Sequence, residues 1–218
     1  MVFKGGSRDN KIYTIIAISV IIIVIFAVFF SSNVLNEAII EEFVLNDTWI
    51  EDISERDSDS QLLGLEQWIS YTYVNKDDIF PAYITVTSIK TILMKSEEDL
   101  RDQILDTIKK ASKQGIVVDE GTKLIGERLL NNGHKTMYVI YDGNDTSKEP
   151  HEQIKIIGEI WNCGPSGTSI ICIGLAQVTN HLIINSTYWE KIIRDNKGTF
   201  GQGVYQGTDG LLFNVKCH

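Results

Sequence analysis

Apolar and polar positions divide this chain sharply. Residues 12–30 read IYTIIAISVIIIVIFAVFF, 19 positions without a charge. As a helix they would extend about 28 Å, close to the hydrocarbon thickness of a bilayer, so the run predicts a transmembrane helix. Beyond it the apolar periods shorten. Leu35, Ile39, Ile40 and Phe43 share one helical stripe, which predicts a juxtamembrane helix over 31–48. Residues 51–60, EDISERDSDS, read as an exposed acidic linker. Trp68–Val74 alternates and Phe80–Ile92 is rich in β-branched residues, so both read as strands around a turn at Asn75–Asp78. Ser96 with Asp99 resembles a capping box. It opens a helix with Leu100, Ile104, Ile108 and Ala111 on its buried stripe and Gly115 as its C-cap.

The second half reads as hairpins. Residues 121–141 turn at Asn131–His134. A loop over Asp142–Gln153 leads into strands Ile154–Cys163 and Thr168–Thr179, joined by the turn Gly164-Pro165-Ser166-Gly167. Thr187 and Glu190 cap a closing helix that presents Trp189, Ile192 and Ile193 on one face and stops at Gly198. A glycine-rich tail ends in a short strand, Leu211–Cys217. The order β-β-α-β-β-β-β-α predicts an α+β fold: an N-terminal transmembrane helix, then a mostly antiparallel sheet flanked by helices. The expected organisation is a stub at 1–11, the span at 12–30, a juxtamembrane helix and acidic linker at 31–60, an α+β domain at 61–198, and a tail at 199–218.

This order resembles the PsbP/Mog1-type fold over about residues 61–195. The likeness lies in an aromatic strand ending near Phe80-Pro81 and a helix opened by Ser96-Glu-Glu-Asp-Leu100. It continues in the pair Gly126-Glu-Arg128 and Gly133-His-Lys135 leading to Tyr138–Tyr141, and in Tyr188-Trp-Glu-Lys-Ile-Ile193. The resemblance implies an assembly, binding or accessory module without catalysis. A transmembrane anchor in place of a lipidated cysteine and the glycine-rich tail depart from that family, and no family site residue carries over.

Charge adds location. Lys4, Arg8 and Lys11 precede the span against Asp9 alone, while Glu37, Glu41 and Glu42 follow it. The positive-inside rule then places the N-terminus in the cytoplasm and residues 31–218 outside. A cleaved signal peptide would have a shorter apolar core and small residues at its end; this run ends Val-Phe-Phe-Ser-Ser, as an uncleaved signal anchor does. The chain carries net charge −9, which argues against a nucleic-acid partner. Asn46, Asn144 and Asn185 begin N-x-S/T patterns, candidate glycosylation sites on an exported domain.

Candidate chemistry is sparse. On an oxidising side, Cys163 and Cys217 are the expected disulfide, pinning the tail to the sheet, with Cys163 and Cys172 as the rival pair. A soft-metal site could combine Cys163, Cys217 and His218 with His134 or His181, but no paired-ligand spacing supports it. Asp142–Gln153 opens like a calcium loop and fails where Ser147 replaces glycine and Gln153 replaces glutamate. Gly164–Thr168 lacks the nucleophile-elbow spacing. Trp68, Trp161 and Trp189 read as core or interface anchors; Trp49 could sit instead at the headgroup level. No catalytic residue and no cofactor are expected, and the reading leans away from an enzyme. The expected function is a membrane-anchored, extracytoplasmic, non-catalytic accessory or binding module with a protein partner at the membrane. The alternatives are a redox or copper-handling protein using Cys163, Cys217 and His218, and the exported sensor part of a membrane complex.

Overall fold

Extended strands make up most of the described residues. The computed structural model describes residues 35–45, 48–61, 65–76, 80–111, 115–147, 150–179, 188–193, 199–200, 203–204 and 210–218. The predicted span 12–30 lies outside them, and among the described residues no helix is long and apolar enough to cross a membrane. In chain order the elements are β1 (Ile39–Ile40), α1 (Glu42–Leu45), β2 (Trp49–Glu51), β3 (Asp57–Gln61), β4 (Glu66–Asn75), β5 (Ala82–Thr91) and α2 (Glu97–Ala111). There follow β6 (Ile116–Leu129), β7 (Lys135–Asp145), β8 (Glu152–Cys163), β9 (Thr168–Gln177), α3 (Tyr188–Ile193), β10 (Thr199–Phe200), β11 (Gly203–Val204) and β12 (Val215–Lys216).

The main sheet is antiparallel throughout, in the order β2-β4-β5-β9-β8-β7-β6, with β3 also on β4. Strands β6 to β9 form a continuous meander. The crossover through α2 carries the chain from β5 to the far edge, and β9 returns to pair with β5, Ala82 opposite Ala176 and Ile89 opposite Ser169. Strands β8 and β9 are central and buried on both faces, which is why IKIIGEIWNC and TSIICIGLA read as nearly unbroken apolar runs.

Each face has its own cover. Against one lies α2, whose Leu100, Ile104 and Ile108 pack with Val139, Tyr141, Ile156, Ile160 and Ile171. Ser96 caps it: its Oγ accepts from the Asp99 amide at 3.1 Å and donates to Asp99 Oδ2 at 2.6 Å. Against the other face lie residues 38–45 with Trp49, α3 and a strap of residues 211–217, packed on Tyr73, Ile84, Val86, Ile157, Trp161 and Ile170.

The α+β class is corrected: the fold is sheet-dominated, with 55% of the described residues in strands. Three segments account for the difference. Residues 35–45 are not one helix. The amides of Ala38 and Ile40 donate to Ser88 Oγ and Tyr73 Oη, so β1 runs extended and only α1 turns. Phe43, expected on a buried stripe, is exposed. The acidic linker instead holds the end of β2, a 3₁₀ turn at Ile53–Glu55 and β3, with β2 and β3 both paired along β4; every residue of β3 is exposed, and its acidic residues guard the sheet edge. The expected loop at 142–153 shrinks because β7 and β8 stay paired out to Asp145 and Glu152. Similarly, the end of the tail is no appendage: Leu211, Leu212, Phe213, Val215 and Cys217 are buried, and of the expected strand Leu211–Cys217 only Val215–Lys216 is strand, paired with β1. Trp49 is a core residue, 2% exposed, rather than a headgroup anchor.

Candidate metal centre

Three pieces of chain meet where β8 ends. The first is the turn between β6 and β7. Its sequence Asn131-Asn132-Gly133-His134 closes tightly because Gly133 adopts φ +82°, a left-handed conformation that costs glycine little. The Leu130 amide donates to the His134 carbonyl at 2.9 Å, and the His134 amide to Asn132 Oδ1 at 3.1 Å. The second piece is the last residue of β8, Cys163, followed by a turn in which the Gly167 amide returns to the Cys163 carbonyl at 2.9 Å. The third is the strap. The Asn131 amide donates to the Phe213 carbonyl at 3.0 Å and Asn132 Nδ2 to the Val215 carbonyl at 2.9 Å, so the hairpin turn holds the strap directly.

These anchors bring His134, Cys163, Cys217 and His218 together, with one ligand atom from each and all four atoms within 4.8 Å of one another. The sulfurs of Cys163 and Cys217 lie at disulfide distance, with Cα atoms 6.5 Å apart. Cys163 Sγ is 3.5 Å from His134 Nε2 and 3.4 Å from His218 Nδ1. Cys217 Sγ is 3.6 Å from His218 Nδ1, and the two imidazole nitrogens are 3.4 Å apart. A tetrahedral ion with ordinary zinc bond lengths sets edges of about 3.4 Å between two nitrogens and about 3.6 Å between nitrogen and sulfur. Four of the six edges lie near those values, while the sulfur–sulfur edge is at disulfide distance.

Burial is graded across the cluster. Both sulfurs are buried, His134 is half-buried and His218 is exposed. Partial burial, and then the neighbouring His218, hold the His134 pKa below its usual value. This favours the neutral imidazole, the form that binds a metal. The third thiol behaves differently. Cys172 sits mid-strand in β9 and is fully buried; burial first, then the nearby Glu159 carboxylate, push its pKa well above the usual value. It is a protonated core residue and takes no part in the cluster.

Sequence reasoning brought Cys163, Cys217 and His218 forward, with His134 and His181 as optional fourth ligands; the structure selects His134, and His181 lies outside the described residues. Separations of 29 residues between His134 and Cys163 and 54 between the two cysteines explain why no local spacing marked the site. One clue was available: a histidine closing an Asn-Asn-Gly turn, and a second directly after a cysteine. Asn144 is exposed on β7, whereas Asn46 and Asn185 lie outside the described residues. At the failed calcium loop, Asp145 Oδ1 accepts from the Ser147 amide at 2.9 Å and Asp142 pairs with Lys155, so these acids have protein partners.

A buried ion pair escaped the sequence reading. Glu159 on β8 is fully buried, accepts from Arg128 Nε at 2.7 Å and Nη2 at 2.5 Å, and accepts from Thr136 Oγ1 at 2.5 Å. Its signal was a lone charge at an inward position of an otherwise apolar strand. Arg128 Nη1 also donates to the Ile193 carbonyl, tying α3 to the sheet.

No protein-family model, curated protein or solved structure matches the chain. The resemblance to the PsbP/Mog1-type fold therefore has no support beyond the element order and apolar pattern read in the sequence.

Proposed function

We propose that this chain is a non-catalytic metal-binding module working on the extracytoplasmic side of a membrane, and that it holds one zinc-class ion through Cys163, Cys217, His134 and His218. The observation that carries this reading is the convergence of two sulfurs and two imidazole nitrogens within 4.8 Å of one another, with the nitrogen–nitrogen edge and three sulfur–nitrogen edges near those of a tetrahedral S₂N₂ site once the two sulfurs are unbonded. Two thiolates balance a divalent cation, so the buried end of the sheet would carry no net charge when loaded. Four protein ligands close the coordination sphere, whereas catalytic zinc sites keep a position for water. That favours binding over catalysis. The exposed side, at His218, is the route by which an ion would come and go. Location is supported by the apolar run at 12–30 and by the paired cysteines, which suit an oxidising compartment.

The test is stoichiometry. Full-length chain, reduced and freed of metal under anaerobic conditions, is dialysed against Zn(II) and analysed for metal per chain. One equivalent is expected, falling to none in Cys163→Ser. Binding unaffected by that substitution would place the metal elsewhere. Copper(I), which also accepts thiolate and imidazole ligands, is compared by competition.

A further inference from the structure

Resting on the metal-binding reading, we infer that the Cys163–Cys217 disulfide is the metal-refusing state of the same site, so that metal capture is gated by the thiol redox state. A bonded sulfur pair is about 2.05 Å apart, whereas two sulfurs on one tetrahedral ion are about 3.8 Å apart. The two states are therefore exclusive. What makes them interconvertible is that neither backbone depends on the disulfide for its position.

Cys163 is fixed by β8, which pairs with β9 out to Cys163 opposite Thr168. The strap is fixed by burial of Leu211, Leu212, Phe213 and Val215, by the β1–β12 pair, and by its hydrogen bonds to Asn131 and Asn132. Lys216 Nζ adds an ion pair to Glu41 at 3.0 Å. Cutting the disulfide thus leaves the cysteines facing each other at a Cα separation of 6.5 Å, with both imidazoles already beside them. Side-chain rotation alone separates the sulfurs; the strap need not leave the core.

The chemistry balances with a dithiol as reductant. Fraying of the last two residues, beside the exposed His218, admits the reductant to the buried sulfurs; its thiolate attacks Sγ of Cys217, a mixed disulfide forms, the Cys163–Cys217 bond breaks, and Cys163 leaves as thiolate. The second thiol of the reductant then closes its own disulfide and releases Cys217. Two electrons and two protons pass from dithiol to protein. Zn(II) afterwards displaces two protons from the two thiols. In the reverse direction an oxidant of the disulfide class takes two electrons from the cysteines, and the ion is released.

The experiment compares full-length chain in two states, one treated with a dithiol and desalted anaerobically, the other oxidised, each titrated with Zn(II) alone against a chromophoric chelator. The reduced chain is expected to bind one equivalent. The oxidised chain should bind more weakly by a factor exceeding the roughly 10–100-fold that loss of an outer-shell partner costs. Equal binding in both states would overturn the gate while leaving metal binding intact; no binding in either state would overturn both readings. His218→Ala, an exposed position, keeps the fold testable. It should still form the disulfide yet bind Zn(II) weakly when reduced, and parental affinity would contradict the four-ligand gate. Finally, Zn(II)-loaded chain should form the disulfide more slowly than reduced chain without metal, and equal rates would count against the exclusion on which the gate depends.

Discussion

Two polar inlays occupy the same face of the sheet, four residues apart on β8, and they are built on opposite principles. At Glu159 every donor meets an acceptor: the carboxylate takes two bonds from Arg128 and one from Thr136, and the charges cancel within the protein. At Cys163, in contrast, four atoms that donate lone pairs face one another. Such a cluster is settled by protons, by a sulfur–sulfur bond, or by a cation. The first inlay is complete in itself and ties β6, β7, β8 and α3 together. The second, on the proposed reading, changes state with its surroundings. A buried polar group therefore marks a binding site when its neighbours share its chemical sign, and a structural lock when they complement it.

The largest effect should come from breaking the lock. Glu159→Ala leaves the Arg128 guanidinium buried without its partner, and a loss of about 3–5 kcal/mol is expected in urea unfolding. A loss below about 1 kcal/mol would mean that the pair contributes no more than a surface bridge. Next is Cys217→Ser. Under oxidising conditions it removes a cross-link between residues 54 apart, worth at most about 4 kcal/mol of loop-closure entropy. Under a dithiol, without metal, parent and variant should unfold at nearly the same urea concentration. A large residual gap there would show that the strap does depend on the disulfide.

The opposite face offers a control. Gly158 lies beneath α2, and a Cβ there would come within 2.8 Å of Ile104 Cγ1. Gly158→Ala should cost about 1–3 kcal/mol through overpacking. Zn(II) stoichiometry should not change, and altered stoichiometry would show that the two faces are not independent.

The smallest effect is expected at the helix cap. Ser96→Ala should cost about 1 kcal/mol at neutral pH, read by thermal unfolding. Asp99 is held below the usual carboxylate pKa, chiefly by the Ser96 side-chain hydrogen bond and then by its backbone bond. A depressed folded-state pKa contributes stability above the unfolded value, about pH 4, and loses it as pH falls through the folded value. The gap between parent and Ser96→Ala should accordingly narrow in acid; a gap that widens would contradict the capping role.

Local pattern made the sheet and α2 legible. The Ser96 cap, the Leu100–Ile104–Ile108 stripe, the alternating strands and the Asn-Asn-Gly turn all depend on neighbours within a few residues. What the sequence hid is long-range pairing. Nothing near Ile39 announces that its partner is Lys216, or that Ser88 and Tyr73 will capture the amides that a helix would have used. The acidic run at 51–60 reads as linker because its strands are exposed at an edge, where no apolar alternation is required. The ligand set was legible as three residues without an arrangement. Its assembly depends on a strap crossing back to a hairpin turn more than 80 residues away, a contact that no local spacing encodes.

X-ray absorption at the zinc edge of the reduced, Zn(II)-loaded chain reads the ligand shell itself. Two sulfur scatterers at about 2.3 Å and two nitrogen scatterers at about 2.0–2.1 Å are expected, with imidazole outer-shell features. A shell made only of oxygen and nitrogen would contradict the S₂N₂ site.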